Sequence, residues 1–208
     1  LYVTLEPCHH WGRSPPCVDA IIRSGIMRVV IGARDPDPRT AGGSVAHLES
    51  AGVEAVIANH AASQALHAGH ILRHSANRPF VTAVLATAAD GMIGPRGAGR
   101  APIVGPDALA FIDMLRSRSD AVMVGGATAR IDDPALAVSL PGLAARTPLR
   151  VVLAGASGID RKVNLVGDFS GYRTAIIAET GAAIDAPISV EIIRVNGSQG
   201  RPDLVAAL

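Results

Sequence analysis

The hydrophobic positions of this chain fall into short apolar runs separated by stretches of helical spacing. Tyr2 to Leu5 reads as the end of a strand, and Val18, Ile21 and Ile22 mark a helix over Val18 to Ser24. Pro15-Pro16 stands just ahead of that helix and Gly25 just past it, as expected for a helix start and stop. Arg28 to Ala33 is a continuous apolar strand that ends in the turn-forming Asp35-Pro36-Asp37-Pro38. A helix over Gly43 to Ala51, with Val45, Leu48 and Ala51 as its stripe, closes at Gly52, and Val53 to Ile57 is the next strand. Ala61 to His74 reads as one helix with Ala65, Leu66, Ile71 and Leu72 on its apolar face. This βαβαβ order predicts parallel neighbours joined by right-handed crossovers.

Asn77-Arg78-Pro79 interrupts the pattern, and a second α/β series begins at Phe80. Phe80 to Thr87 has the composition of a strand leading to an Asp90-Gly91 turn, and Gly94 to Gly105 is a Gly/Pro-rich loop. Pro106 opens a helix to about Ser119, expected to bury Ala108, Phe111, Ile112 and Leu115. The strand Ala121 to Val124 runs into Gly125-Gly126-Ala127-Thr128, read as a loop as far as Asp132, with Asp132-Asp133-Pro134 a capped turn. Strands follow at Arg150 to Leu153, Thr174 to Ala178 and Ser189 to Arg194, and Arg201 to Leu208 has the pattern of a helix start. Two α/β domains are expected, over 1–76 and 79–208.

Composition sharpens this picture. Hydrophobic residues make up 49% of the 208, but only 3% are aromatic. That Ala, Val, Leu and Ile mass suits parallel strands covered on both faces. With 19 basic and 18 acidic residues and no basic run, nucleic acid is not an expected partner. No apolar stretch approaches the roughly 18 residues that span a bilayer, and no signal peptide is visible, so no membrane association and a cytoplasmic location are expected.

The candidate chemistry is concentrated in Glu6-Pro7-Cys8-His9-His10-Trp11-Gly12-Arg13-Ser14-Pro15-Pro16-Cys17, which holds both cysteines of the chain. A strand that delivers one thiol to a helix start that delivers another makes a metal-site geometry, with both sulfurs as thiolates. Two buried free cysteines, or a disulfide, are the other readings of the same residues. In the second half, a strand running into Gly125-Gly126 is a place where backbone amides meet phosphate or a nicotinamide, or simply a tight turn. Among the histidines, His70 and His74 lie four apart as on a solvated helix face, and His47-Leu48-Glu49 reads as surface flanks of a helix.

Pro7-Cys8 followed by Gly12-Arg13-Ser14-Pro15-Pro16-Cys17 resembles the zinc half of the cytidine-deaminase superfamily. More narrowly, it resembles the pyrimidine deaminase domain of the bifunctional riboflavin-biosynthesis deaminase-reductases. Arg78-Pro79-Phe80-Val81-Thr82, Leu115-Arg116-Ser117, and Gly125-Gly126-Ala127-Thr128 with Asp132-Asp133-Pro134 are similar to the reductase half of the same family. The resemblance implies the C-terminal part of a cytidine-deaminase-like domain followed by a truncated dihydrofolate-reductase-like domain. It implies zinc at Cys8 and Cys17, and NADPH at Thr128 and Asp132. Pyrimidine ribotide substrates would be held by Arg116 and Leu136 in one half and by His10 and Arg13 in the other, though His10 and Arg13 equally read as residues fixing the turn.

The family's catalytic His-x-Glu would lie upstream of Leu1, and its C-terminal Glu-Gly-Gly segment beyond Leu208, so the isolated chain is expected to turn over little. A homodimer through the reductase half is implied as well. Val84, Ser139, Ala154, Gly155 and Pro102 stand where the family has other residues, Lys and Arg at the first two, which leaves a degenerate, dimerising scaffold as the alternative reading.

Overall fold

In the computed structural model, residues 1–94, 103–167 and 171–203 are described. They form two compact units, Leu1–Thr82 and Ala83–Leu208.

The first unit is a parallel three-stranded sheet in the order β1 (Tyr2–Val3), β2 (Arg28–Ile31), β3 (Glu54–Ile57). The crossovers are α1 (Cys17–Arg23) and α2 (Gly43–Ser50). Asp19 in the first turn of α1 and Arg23 in its last complement the helix dipole, and Gly25 at φ 68° takes the left-handed position that ends it. Val18 and Ile21 of α1, Val29 and Ile31 of β2, Leu48 of α2 and Val53 close one apolar core. Two further helices follow, α3 (Ala61–Leu66) and α4 (Ala68–Ala76), in place of the single helix expected. The break falls at His67, whose side chain reaches Thr4 Oγ1 at 2.9 Å, and Leu66 stays exposed.

The second unit carries α5 (Pro106–Ser117), β4 (Ala121–Gly125), α6 (Gly126–Ile131), β5 (Leu149–Ala154), α7 (Asn164–Gly167), β6 (Thr174–Glu179), β7 (Glu191–Val195), β8 (Gly197–Ser198) and β9 (Arg201–Pro202). Strands β4 to β7 form a parallel sheet in chain order, and β8 pairs with β9 as a small antiparallel hairpin. Val152, Ala154, Ile176 and Ala178 on the central strands pack with Ala129, Leu136, Leu165 and Val166. Arg150 is fully buried in this core. Its guanidinium donates to Thr174 Oγ1 at 2.8 Å, to the carbonyl of Ala135 at 3.3 Å and to that of Tyr172 at 3.4 Å. A buried cation tied to backbone on both sides fixes the loop after α6 against β5 and β6.

Several expectations are corrected here. Phe80 to Thr87 is not a strand: it has no regular structure and exposes Phe80, Val81, Val84 and Leu85. Apolar alternation makes a strand only where a neighbour takes up its backbone groups, and among the described residues none does. The Gly125–Asp132 loop is the helix α6. Helix α5 ends at Ser117, exposes Ala108 and Phe111, leaves Ile112 and Leu115 half-buried, and buries Asp113 and Ser117 instead. The strand expected at Ser189 to Arg194 runs over Glu191–Val195. Arg201 and Pro202 belong to β9 rather than to a helix, and 204–208 lie outside the described residues, as do 95–102 of the expected loop, Pro102 included.

Gly158 shows how tightly the second unit is closed. It sits at φ +64°, and a Cβ there would lie 1.9 Å from the carbonyl oxygen of Ala183. Gly158→Ala is therefore expected to cost about 2 kcal/mol or more, from strain and clash together. The urea midpoint relative to the parent protein measures it.

Candidate functional sites

In a parallel sheet the loops at the carboxyl ends of the strands gather on one edge, and ligands of open α/β sheets bind there. In the first unit that edge carries Glu6 to Cys17 after β1 and Ala33 to Thr40 after β2. Glu6 is buried and is the hub of this edge. Its Oε1 accepts from Gly42 N at 3.0 Å and Ser44 Oγ at 3.0 Å, and its Oε2 from Asp35 N at 3.3 Å. The carboxylate thus caps α2 and holds the Asp35 turn, a role its sequence surroundings do not reveal.

Cys8 and Cys17 are brought together as their spacing predicts. Cys17 N–H donates to Cys8 Sγ at 3.4 Å, which sets the two cysteines side by side. The neighbouring Cys8 side chain, with burial and the charge of Cys8 adding to its effect, pushes the Cys17 thiol up in pKa. Both cysteines are free, so the disulfide reading is not what the structure shows. Two thiolates would supply half of the four ligands of a tetrahedral zinc. Among the described residues no group of three His, Cys, Asp or Glu side chains is placed to complete one. His9 packs against Gly43, where a Cβ would lie 2.4 Å from its ring, and its buried Nδ1 has no partner among the described residues. His10 Nδ1 lies 3.4 Å from Thr40 Oγ1, and Arg13 is exposed.

Of the helix histidines, His74 is exposed, while His70 is tied down. His70 Nε2 lies 2.7 Å from Asp35 Oδ1 and pins α4 to the Asp35-Pro36-Asp37-Pro38 turn. Arg39 holds Asp37 from the other side, the nitrogen-oxygen distance being 2.6 Å, and keeps that carboxyl far below the usual range. An open pocket of about 590 Å³ lies alongside, walled by Asp35, Pro36, Asn59, Gln64, Ile71 and Leu72.

In the second unit, Thr128 and Asp132 lie one turn apart on α6, joined by Asp132 N–H to the Thr128 carbonyl at 2.9 Å. Thr128 is exposed and Asp132 half-buried, and beyond Gly125 a Cβ would meet nothing within 4 Å. The exposed Thr128 and the open space beside Gly125 thus lie at the carboxyl end of β4, while Gly126 is buried against Arg130 and Leu153. Asp133 takes over the capping role expected of this segment, accepting from Asn164 N at 2.9 Å at the start of α7. Leu136 adopts φ 52° and is buried in the core cluster rather than exposed in a cleft.

Arg116 Nη1 lies 2.7 Å from Asp113 Oδ1, and Ser139 N donates to Asp113 Oδ2 at 2.9 Å. The end of β5 is covered: a Cβ on Gly155 would lie 2.6 Å from the Gly200 carbonyl oxygen, which accepts from Ala156 N at 3.0 Å. The β8–β9 hairpin thus explains why a larger residue does not stand at 155.

The second unit is, in class, a parallel α/β domain with its polar groups gathered at one strand edge. The chain belongs to the RibD C-terminal domain family, which it matches over residues 79–198. It is 37% identical over 180 residues to the riboflavin biosynthesis protein RibD of Synechocystis sp., covering 86% of this chain and 48% of that protein. With the protein of that name from Actinobacillus pleuropneumoniae it is 34% identical over 209 residues, covering 98% of this chain and 55% of the other. A Thermotoga maritima diaminohydroxyphosphoribosylaminopyrimidine deaminase/5-amino-6-(5-phosphoribosylamino)uracil reductase superposes with a TM-score of 0.77 at 31% identity, covering 92% of this chain and 54% of the other. The RibD of Acinetobacter baumannii gives a TM-score of 0.75 at 27% identity, covering 93% and 62%. The chain thus spans about half the length of the relatives it matches.

Glu6→Ala removes the acceptor for three donors, one of them in a fully buried hydroxyl. A loss of about 2–4 kcal/mol is expected, larger than for Glu6→Gln, which keeps one acceptor oxygen. Thermal unfolding of the two variants side by side checks the order.

Proposed function

We propose that the second unit is the NADPH-dependent reductase part of a riboflavin-biosynthesis enzyme. Its reaction reduces the ribosyl side chain of 5-amino-6-(5-phosphoribosylamino)uracil. The observation that carries this reading is the match of residues 79–198 to the RibD C-terminal domain. It is supported by the open space beside Gly125 and the exposed Thr128 where β4 passes into α6. The nicotinamide supplies hydride when bound. Thr128 offers a hydroxyl to the cofactor and Asp132 an acceptor for a ribose hydroxyl or carboxamide. Arg116 supplies the charge-assisted contact to an anionic substrate. Leu136, buried in the core cluster with Ala129 of α6, backs the pocket that takes the pyrimidine. The domain pairs with a second copy of itself.

Residues 1–76, within the first unit, are read in the same way as part of a zinc-dependent pyrimidine deaminase domain. Cys8 and Cys17 are two of its metal ligands, and His10 and Arg13 lie beside the substrate. The described residues provide only these two ligands, so the zinc-bound state requires a third protein ligand. The reading as a scaffold that kept the fold but lost contacts draws on Gly155, which leaves the end of β5 without a polar side chain.

Titration with NADPH, followed by calorimetry, separates these readings. The chain is expected to bind the cofactor, and Thr128→Val to weaken binding about tenfold, the usual effect of one lost hydrogen bond. Equal affinity of parent and variant would place the cofactor elsewhere, and no binding at all would favour the scaffold.

A further inference from the structure

The two fully buried residues of α5 are polar, Asp113 and Ser117. A buried carboxylate needs partners on both oxygens, and Asp113 has them. Oδ1 faces Arg116 Nη1 at 2.7 Å. Oδ2 takes both the backbone N–H of Ser139 at 2.9 Å and the Ser139 hydroxyl. Burial works to raise the pKa of Asp113, but the Ser139 hydrogen bonds and the Arg116 charge outweigh it and leave it lowered. At neutral pH the carboxylate is charged and grips Arg116.

What that grip leaves free is informative. Arg116 is held through one terminal nitrogen, while its Nε is buried and without an acceptor among the described residues. A guanidinium fork recognises oxyanions through paired parallel N–H groups, and a buried donor with no partner calls for an explanation. The clamp comes from two elements of the same unit, α5 and the loop after α6, and the loop is itself fastened by Arg150 to the carbonyl of Ala135. Arg116 therefore cannot swing without breaking the buried pair.

We propose that Asp113 is the positioning residue for Arg116. It holds one terminal nitrogen so that the half-buried guanidinium stays turned toward an oxyanion of the substrate, and Ser139 locks the carboxylate in place. This rests on the reading of Arg116 as a substrate contact. It also assigns a use to Ser139: instead of contributing a cation of its own, this position serves the cation already there. Asp113 touches no substrate, and its influence passes wholly through Arg116.

A double-mutant cycle tests this, with ribose 5-phosphate as the probe and calorimetry as the readout, on the full chain. Circular dichroism establishes that each variant is folded. Asp113→Asn is expected to weaken binding about tenfold in the parent background and to have no further effect once Arg116 is Gln, because coupled residues are not additive. Ser139→Ala, which removes one hydrogen bond and no charge, is expected to weaken binding a few-fold by the same route, and it decides the matter if Asp113→Asn does not fold. An Asp113 or Ser139 effect of equal size in the Arg116→Gln background overturns the positioning role, and so does no effect in the parent. If the parent and Arg116→Gln bind the probe equally, or neither binds it, the substrate reading of Arg116 itself falls.

Discussion

Parallel strand pairing is the constraint on which the rest of this protein depends. A parallel neighbour can be reached only by a crossover, so both sheets are lined by helices and their central strands are apolar. In β5 and β6 nearly every residue is buried, and the one charged side chain buried there, Arg150, is spent on holding carbonyls and a threonine, while Glu179 stands half-buried at the end of β6. Chemistry has no room within such a sheet. It is displaced to the loops at the carboxyl strand ends, where Cys8, His10 and Asp35 lie in one unit and Thr128 and Asp132 in the other.

The loops need buttresses of their own, and the structure supplies them with buried carboxylates. Glu6 caps α2 while holding the Asp35 turn, Asp35 accepts the imidazole of His70, and Asp113 links α5 to Ser139. Each anion is satisfied by backbone or side-chain donors from a different element. These contacts place the exposed polar groups, while the apolar clusters place the elements that carry them.

Which of these features can be seen in the sequence follows from their range. The strands β2, β4, β5 and β6 are legible because an unbroken apolar run is a local signal, and the meeting of Cys8 and Cys17 because strand, loop and helix are contiguous. Glu6 is illegible because its partners lie 29 to 38 residues away. The buried face of α5 is misjudged for the same reason: periodicity puts Phe111 inward, but Ser139, 26 residues on, gives Asp113 the partner that lets it be buried instead. Phe80 to Thr87 shows the opposite failure, a correct local composition without the neighbouring strand that would make it count.

On the function proposed above, NADPH binds at the edge where β4 passes into α6. Hydrogen exchange of backbone amides with and without NADPH tests it most directly. Slowed exchange is expected on adding the cofactor over Gly125 to Asp132, with the amides of the first unit unchanged. Protection confined to other segments, with Gly125 to Asp132 exchanging as before, would contradict it.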